Sequence, residues 1–338
     1  MDVAACVGYE MMFVQSRFVL TLAIVLGLCG QSAVHAEDSF TLIVSGASGG
    51  AHYAERYEGW RSRLVAALRE RPGFQENRLR VLAETPGPGI GRASREGVRD
   101  AIFELGRRMK DDSVLSILLF GHGTFDGRVA KFNLVGPDLE AIEWKALLDS
   151  IPGYVVFVNT GGASFPFIEA LAGDRRVVIS ATASQFQRYD TVFPEFFVEA
   201  LSAPGSDVDK DYRVSVFEAF EFSSKNVRRW YRREGRLATE RALIDDSGDG
   251  VGKEANGEGS DGTLAARLFI GAERREISEV SEKILGPLFA EQAVLESEIS
   301  NLRINRPAMS EADYRDILER LLIELASVSR EIRRRIPK

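Results

Sequence analysis

The chain has 338 residues, of which 45% are hydrophobic and 28% charged, and its formal net charge is -7. That is enough length and apolar content for one sizeable core plus an appendage, and it excludes a disordered chain. The acidic balance argues against nucleic acid as a partner, because phosphate binding needs a basic face.

The N-terminus reads as a targeting segment. Arg17 precedes an apolar run over 18–28, and Val34-His35-Ala36 offers a cleavage site before Glu37. The run falls short of the roughly 20 apolar residues of a spanning helix. An uncleaved anchor is the alternative. Asp2 and Glu10 sit ahead of the run, which suggests a start at Met11 or Met12. Cys29 follows the bulky Leu28 and so does not make a lipoprotein site. With 1–36 taken as a signal peptide, the expected protein is exported, periplasmic or secreted, with no integral membrane segment after cleavage. Cys6 and Cys29 are the only cysteines. The mature chain would then have no disulfide, no thiolate metal site and no cysteine nucleophile.

Residues 40–44 read as a first strand, followed by the glycine-rich Ser45-Gly46-Ala47-Ser48-Gly49-Gly50. Its spacing fits no phosphate-binding motif, so a tight strand-to-helix turn is expected. A helix over 53–69 carries Trp60, Leu64 and Leu68 at helical spacing. A strand over 79–83 leads to the Pro/Gly loop 85–89, which cannot be helical. Ser94 caps a helix over 95–109, with Val98, Ile102 and Leu105 on one face. The uninterrupted apolar run 114–120 reads as a fully buried parallel strand, ending at Gly121-His122-Gly123. A helix over 139–148, a strand over 154–158, a helix over 165–171 and a strand over 176–181 follow. Such alternation predicts an α/β fold, a mostly parallel sheet with helices on both faces. In open sheets of this kind ligands bind at the carboxyl ends of the strands. Those ends carry His122 and the small-residue loop Asn159-Thr160-Gly161-Gly162-Ala163-Ser164.

Phe120-Gly121-His122-Gly123, then about 35 residues on a hydrophobic strand ending in a small-residue loop, resembles the caspase/legumain superfamily of cysteine peptidases. Ala93-Ser94-Arg95-Glu96-Gly97-Val98 is similar to the Ala-Thr-x-x-Asn-Val/Ile helix start of those folds. The resemblance spans about Asp38 to Leu201, with legumain-like proteins the closer branch. It implies a caspase-like three-layer sandwich over 37–205, with His122-Gly123 as the base motif and Gly161 where the nucleophilic cysteine would stand. Without a thiolate the inherited acyl transfer is lost. Two readings follow. In one, the chain is an inactive homologue that binds a protein or peptide partner. In the other, it is a hydrolase with Ser164 or Thr160 as nucleophile, His122 as base, and the Gly123 and Gly162 N–H groups as oxyanion site. The second requires a hydroxyl within about 3–3.5 Å of the imidazole.

Beyond the sheet, residues 206–262 carry two acidic loops. In the first, Asp207, Asp209, Asp211, the Arg213 carbonyl, Ser215 and Glu218 fall on the ligand positions of an EF-hand loop, with Tyr212 at the usual glycine. In the second, Asp245, Ser247 and Asp249 fall on the first three ligand positions, Gly250 on the glycine, and Asn256 on the last. Calcium is the expected cofactor; solvated turns are the alternative. An exiting helix is expected over 217–233, and residues 252–262 read as flexible.

From 276 to 338 the composition changes. Ile284, Leu288, Leu295, Ile299 and Leu302, then Tyr314, Ile317, Leu321, Leu325, Val328 and Ile332, keep helical spacing on either side of Arg306-Pro307. Ser310 to Asp313 outlines a capping box. A helical hairpin with a coiled-coil-like seam is expected, serving oligomerisation or partner docking. The basic end at 333–335 complements a helix C-terminus or meets an acidic surface.

Overall fold

The computed structural model describes residues 38–338 apart from 72, 204, 210–212, 256, 258–260, 272–286, 289–290, 293, 296–297, 300–301, 303–305, 307–308 and 336–338, and the side chain of 333. The proposed signal segment, Cys6, Cys29, Asp211, Tyr212, Asn256 and Ile284 lie outside the described residues. Among the described residues no helix is long and apolar enough to cross a membrane.

Strand β1 (Ser39–Ser45) is buried along its whole length and pairs in parallel with β2 (Leu79–Ala83) on one side and β4 (Val114–Phe120) on the other. β4 continues in parallel to β8 (Tyr154–Asn159), and β8 to β9 (Arg176–Ser180). A short β3 (Ile90–Arg92) extends one edge in parallel, and β10 (Leu243–Asp245) closes the other antiparallel to β9. The order is β10-β9-β8-β4-β1-β2-β3.

Period-2 alternation sends each strand's side chains to two separate cores. Ile43, Leu118, Phe120, Val156 and Val158 face one layer, formed by α1 (Ala51–Arg69), α5 (Phe193–Ala200) and α6 (Val216–Arg233). Leu42, Val44, Ile117, Leu119 and Phe157 face the other, formed by α2 (Arg95–Gly106), α3 (Ala141–Leu148) and α4 (Pro166–Leu171). The sheet is apolar on both faces, as a buried parallel sheet must be.

Register places the chemistry. Ser45 pairs with Phe120, Leu119 with Asn159, and Asn159 with Ser180. The loops after β1, β4, β8 and β9 therefore leave the sheet at one edge.

Several boundaries differ from the sequence reading. α1 starts at Ala51, and α2 ends at Gly106 because residues 107–109 turn out of the helix. Residues 139–140 are not helix but strand β7 (Leu139–Glu140), which forms a small antiparallel sheet with β5 (Gly123–Phe125) and β6 (Ala130–Phe132). Helix α5, β3 and β10 were not anticipated; the two strands have three residues each, too few to carry a periodic signal of their own.

Toward the C-terminus, α7 (Glu311–Arg335) contributes Leu321, Val328 and Ile332 to an apolar cluster with Leu295, Ile299 and Leu302. This third core shares no residue with the two that flank the sheet.

Candidate functional site

Gly121 follows β4 and lets the chain turn past Phe132, whose ring leaves no room for a Cβ there. His122 follows, about one-third exposed. Its Nε2 lies 3.1 Å from the Ser48 carbonyl oxygen, in the loop after β1. A carbonyl only accepts, so Nε2 carries the hydrogen and Nδ1 is left facing Asp190, whose Oδ1 is 3.8 Å away. The ring is held edge-on by Tyr53 at 4.6 Å and Tyr57 at 5.7 Å between centroids, both from α1. Ser48 is itself fixed, since its N–H and hydroxyl both donate to Glu84 at the end of β2.

Asp190 organises the other side. Arg56 approaches it at 3.7 Å and donates to the Thr191 carbonyl at 3.3 Å, while its guanidinium lies 4.9 Å above the Trp60 ring. A hydrogen bond to Asp190 raises the Tyr53 hydroxyl pKa, and burial raises that of Tyr57. Both tyrosines are therefore neutral donors rather than nucleophiles.

The loop after β8 packs directly on the His122 turn. A Cβ built on Gly161 would stand 2.7 Å from the Gly121 carbonyl oxygen, and one on Gly123 only 2.2 Å from the Gly162 carbonyl oxygen. Position 161 thus has no space for a side chain. Asn159 is fully buried and accepts from the Gly161 N–H through Oδ1 at 3.1 Å. Ala163 is held in the left-handed region at φ 51° by its N–H bond to the Gln187 carbonyl at 2.7 Å.

Neither proposed nucleophile faces His122. Thr160 is 1% exposed and donates to the Leu119 carbonyl at 2.6 Å. Ser164 is 0% exposed and shares a 3.1 Å hydrogen bond with Thr182. Both hydroxyls are turned into the scaffold. The hydrolase reading needs one of them at the imidazole in an open cleft, whereas here each has a partner within the scaffold.

The first acidic loop brings three of its candidate ligands together. Oxygens of Asp207, Asp209 and Glu218 lie within 4.8 Å of one another. Ser215 caps α6 and forms a reciprocal capping box with Glu218. Glu218 also accepts the Val208 N–H at 2.7 Å. Arg213 extends its guanidinium over the Phe269 ring at 3.4 Å.

The second loop is arranged differently. Asp245 accepts from the Gly248 and Gly250 N–H groups at 2.9 and 3.0 Å and from the Ser247 hydroxyl at 3.3 Å. Asp249 accepts from Val251 at 2.7 Å. Asp246 and Asp261, which the ligand pattern passed over, bind the Gly262, Ala265, Asp246 and Ser247 N–H groups. Gly248 and Gly250 sit at φ 78° and 75°, where side chains are strained. These carboxylates spend their oxygens closing a turn. Burial raises the pKa of Asp245 and Asp246.

Sequence reasoning missed Asp190, Tyr53, Tyr57, Ser48 and Glu84 as surroundings of His122. They come from four different loops and helices, and only the shared sheet edge brings them together.

No family model matches the sequence, and no curated protein matches it. Among solved structures, a Geobacter sulfurreducens protein is similar at 12% identity and a TM-score of 0.39, covering 62% of this chain and 92% of that one. The Drosophila initiator caspase Dronc is similar at 12% identity and a TM-score of 0.39, covering 65% of this chain and 83% of that one. Likeness at this level assigns no activity.

Proposed function

We propose that this chain is an exported, caspase/legumain-like peptidase homologue that has lost its nucleophile and keeps the cleft at the strand ends as a binding site for a protein or peptide. The observation that carries the reading is the sealed position at Gly161 beside a His122 that is about one-third exposed: backbone stands where a side chain at 161 would have to go. The His122 imidazole, the partly exposed Tyr53 ring and the Arg56 guanidinium offer a partner hydrogen bonds and flat apolar surface without a group that attacks a carbonyl.

The Asp207–Glu218 loop is the proposed calcium site, supported by its converging carboxylates. Calcium there would tie the chain before α6 to the helix start. The C-terminal helices, with a core of their own, are the proposed docking or oligomerisation arm.

The test is a peptide array probed with the full chain, scored for capture and for cleavage. Capture without cleavage, weakened about tenfold or more by His122→Ala, is expected. Cleavage of captured peptides, or capture indifferent to His122→Ala, overturns the reading. For calcium, a melting temperature that rises saturably with the ion, and no longer does so in Asp209→Asn, is expected. A flat response removes the site.

A further inference from the structure

Glu240 lies between α6 and β10 and is 2% exposed. Nothing in the sequence marks it. Its carboxylate accepts the Val192 N–H at 2.7 Å and the Phe193 N–H at 3.2 Å, together with the Tyr231 hydroxyl at 3.1 Å. Val192 and Phe193 begin α5, and Val192 provides no side-chain cap. The first N–H groups of a helix have no acceptor within it. A carboxylate from almost fifty residues downstream supplies one, adding charge–dipole attraction to the hydrogen bonds.

The residues directly before α5 are those that meet His122 and its neighbours. Asp190 faces His122, Arg56 and Tyr53. Thr191 donates to the Thr160 carbonyl and accepts from Arg56. Whatever loosens the start of α5 therefore loosens His122's acidic neighbour.

We propose that Glu240 is a proton-operated latch on the cleft: ionised, it clamps the start of α5 and with it Asp190 and Thr191; protonated, it lets that segment relax.

Burial pushes this carboxyl up to about 7, and the two α5 N–H groups hold it below the value it would have if buried without them; a relaxed segment that leaves Glu240 buried but removes those N–H groups therefore favours the proton, and the ionised form favours the clamp. The groups facing it are Arg56 from α1, which favours ionisation, the Tyr231 hydroxyl from α6, and the two α5 N–H groups. Those N–H groups only donate, so an added proton has to turn toward the Tyr231 oxygen. Tyr231 can then donate to Thr239, 2.8 Å away. The helix keeps a neutral acceptor and loses the charged one, which is the weaker arrangement.

The test is amide hydrogen exchange of the full chain over pH 5.5–8.5, corrected for intrinsic rates and read in peptides spanning 186–196. Protection there should fall on the order of fivefold as pH drops through about 7, given the size of charge–dipole effects at a helix start. Glu240→Gln should be pH-independent at the low-protection level. Tyr231→Phe, which removes a donor to the ionised form, should keep the transition and move its midpoint upward. A flat wild-type profile, a transition that persists in Glu240→Gln, or an unmoved midpoint in Tyr231→Phe overturns the latch.

Discussion

Adding one methyl group at Gly161 and one at Gly59 should have opposite effects. At Gly161 the new Cβ would sit 2.7 Å from the Gly121 carbonyl oxygen and 3.3 Å from the Gly123 nitrogen. The obstacle is backbone on the turn that carries His122, so the loop itself must move. Overpacking of this kind costs about 1–3 kcal/mol. Alanine recovers about 0.4–1 kcal/mol by restricting the unfolded chain, which leaves a net loss of up to about 2.6 kcal/mol, about 1.3 kcal/mol at the midpoints, for Gly161→Ala. Gly59 lies in the interior of α1 with nothing within 4 Å of a built Cβ. There Gly59→Ala should gain about 1 kcal/mol from helix propensity alone. Urea denaturation of the two variants beside wild type reads the sign of each change. Gly161→Cys extends the argument to function: its thiol should be buried and slow to alkylate, and should not restore peptide cleavage. A Gly161→Ala variant as stable as wild type would refute the claim that backbone fills the nucleophile's place.

Other outcomes follow from the same geometry. The Glu240 carboxyl is raised above its unfolded value of about 4.5, so its contribution to stability is full below that value and lost as pH rises through about 7. The wild-type minus Glu240→Gln difference in unfolding free energy should therefore fall by about 3 kcal/mol at most between pH 4.5 and 8; a difference that grows with pH contradicts this. Ser94→Ala removes the acceptor for the Gly97 N–H at the start of α2 and should cost about 1 kcal/mol in chemical denaturation. Leu118→Ala opens a cavity in the middle of β4, where Leu118 is 0% exposed, and should cost about 2–5 kcal/mol.

The parallel sheet was legible because its strands are buried on both faces and read as plain apolar runs, such as 114–120, stopped by glycine. The place of His122 at the strand ends followed from that. Its surroundings did not, because Ser48, Tyr53, Glu84 and Asp190 are brought together by register and helix placement and leave no local signature. The two acidic loops show the limit of ligand spacing. Asp207, Asp209 and Glu218 converge as their pattern suggests, whereas the carboxylates of Asp245 and Asp249 close a turn on their own backbone. Spacing alone does not show which carboxylates converge on one another and which turn back on their own backbone; Glu218 does both, since it also accepts the Val208 and Ser215 N–H groups. The buried Thr160 and Ser164 teach the same lesson for hydroxyls.

The central claim is that the cleft binds without a nucleophile. Intact mass spectrometry of the full chain after incubation with a fluorophosphonate and a peptidyl chloromethyl ketone tests it most directly. The account predicts no covalent adduct on Thr160, Ser164 or His122. An adduct on any of the three, abolished by prior unfolding, would show an organised catalytic centre and contradict the account.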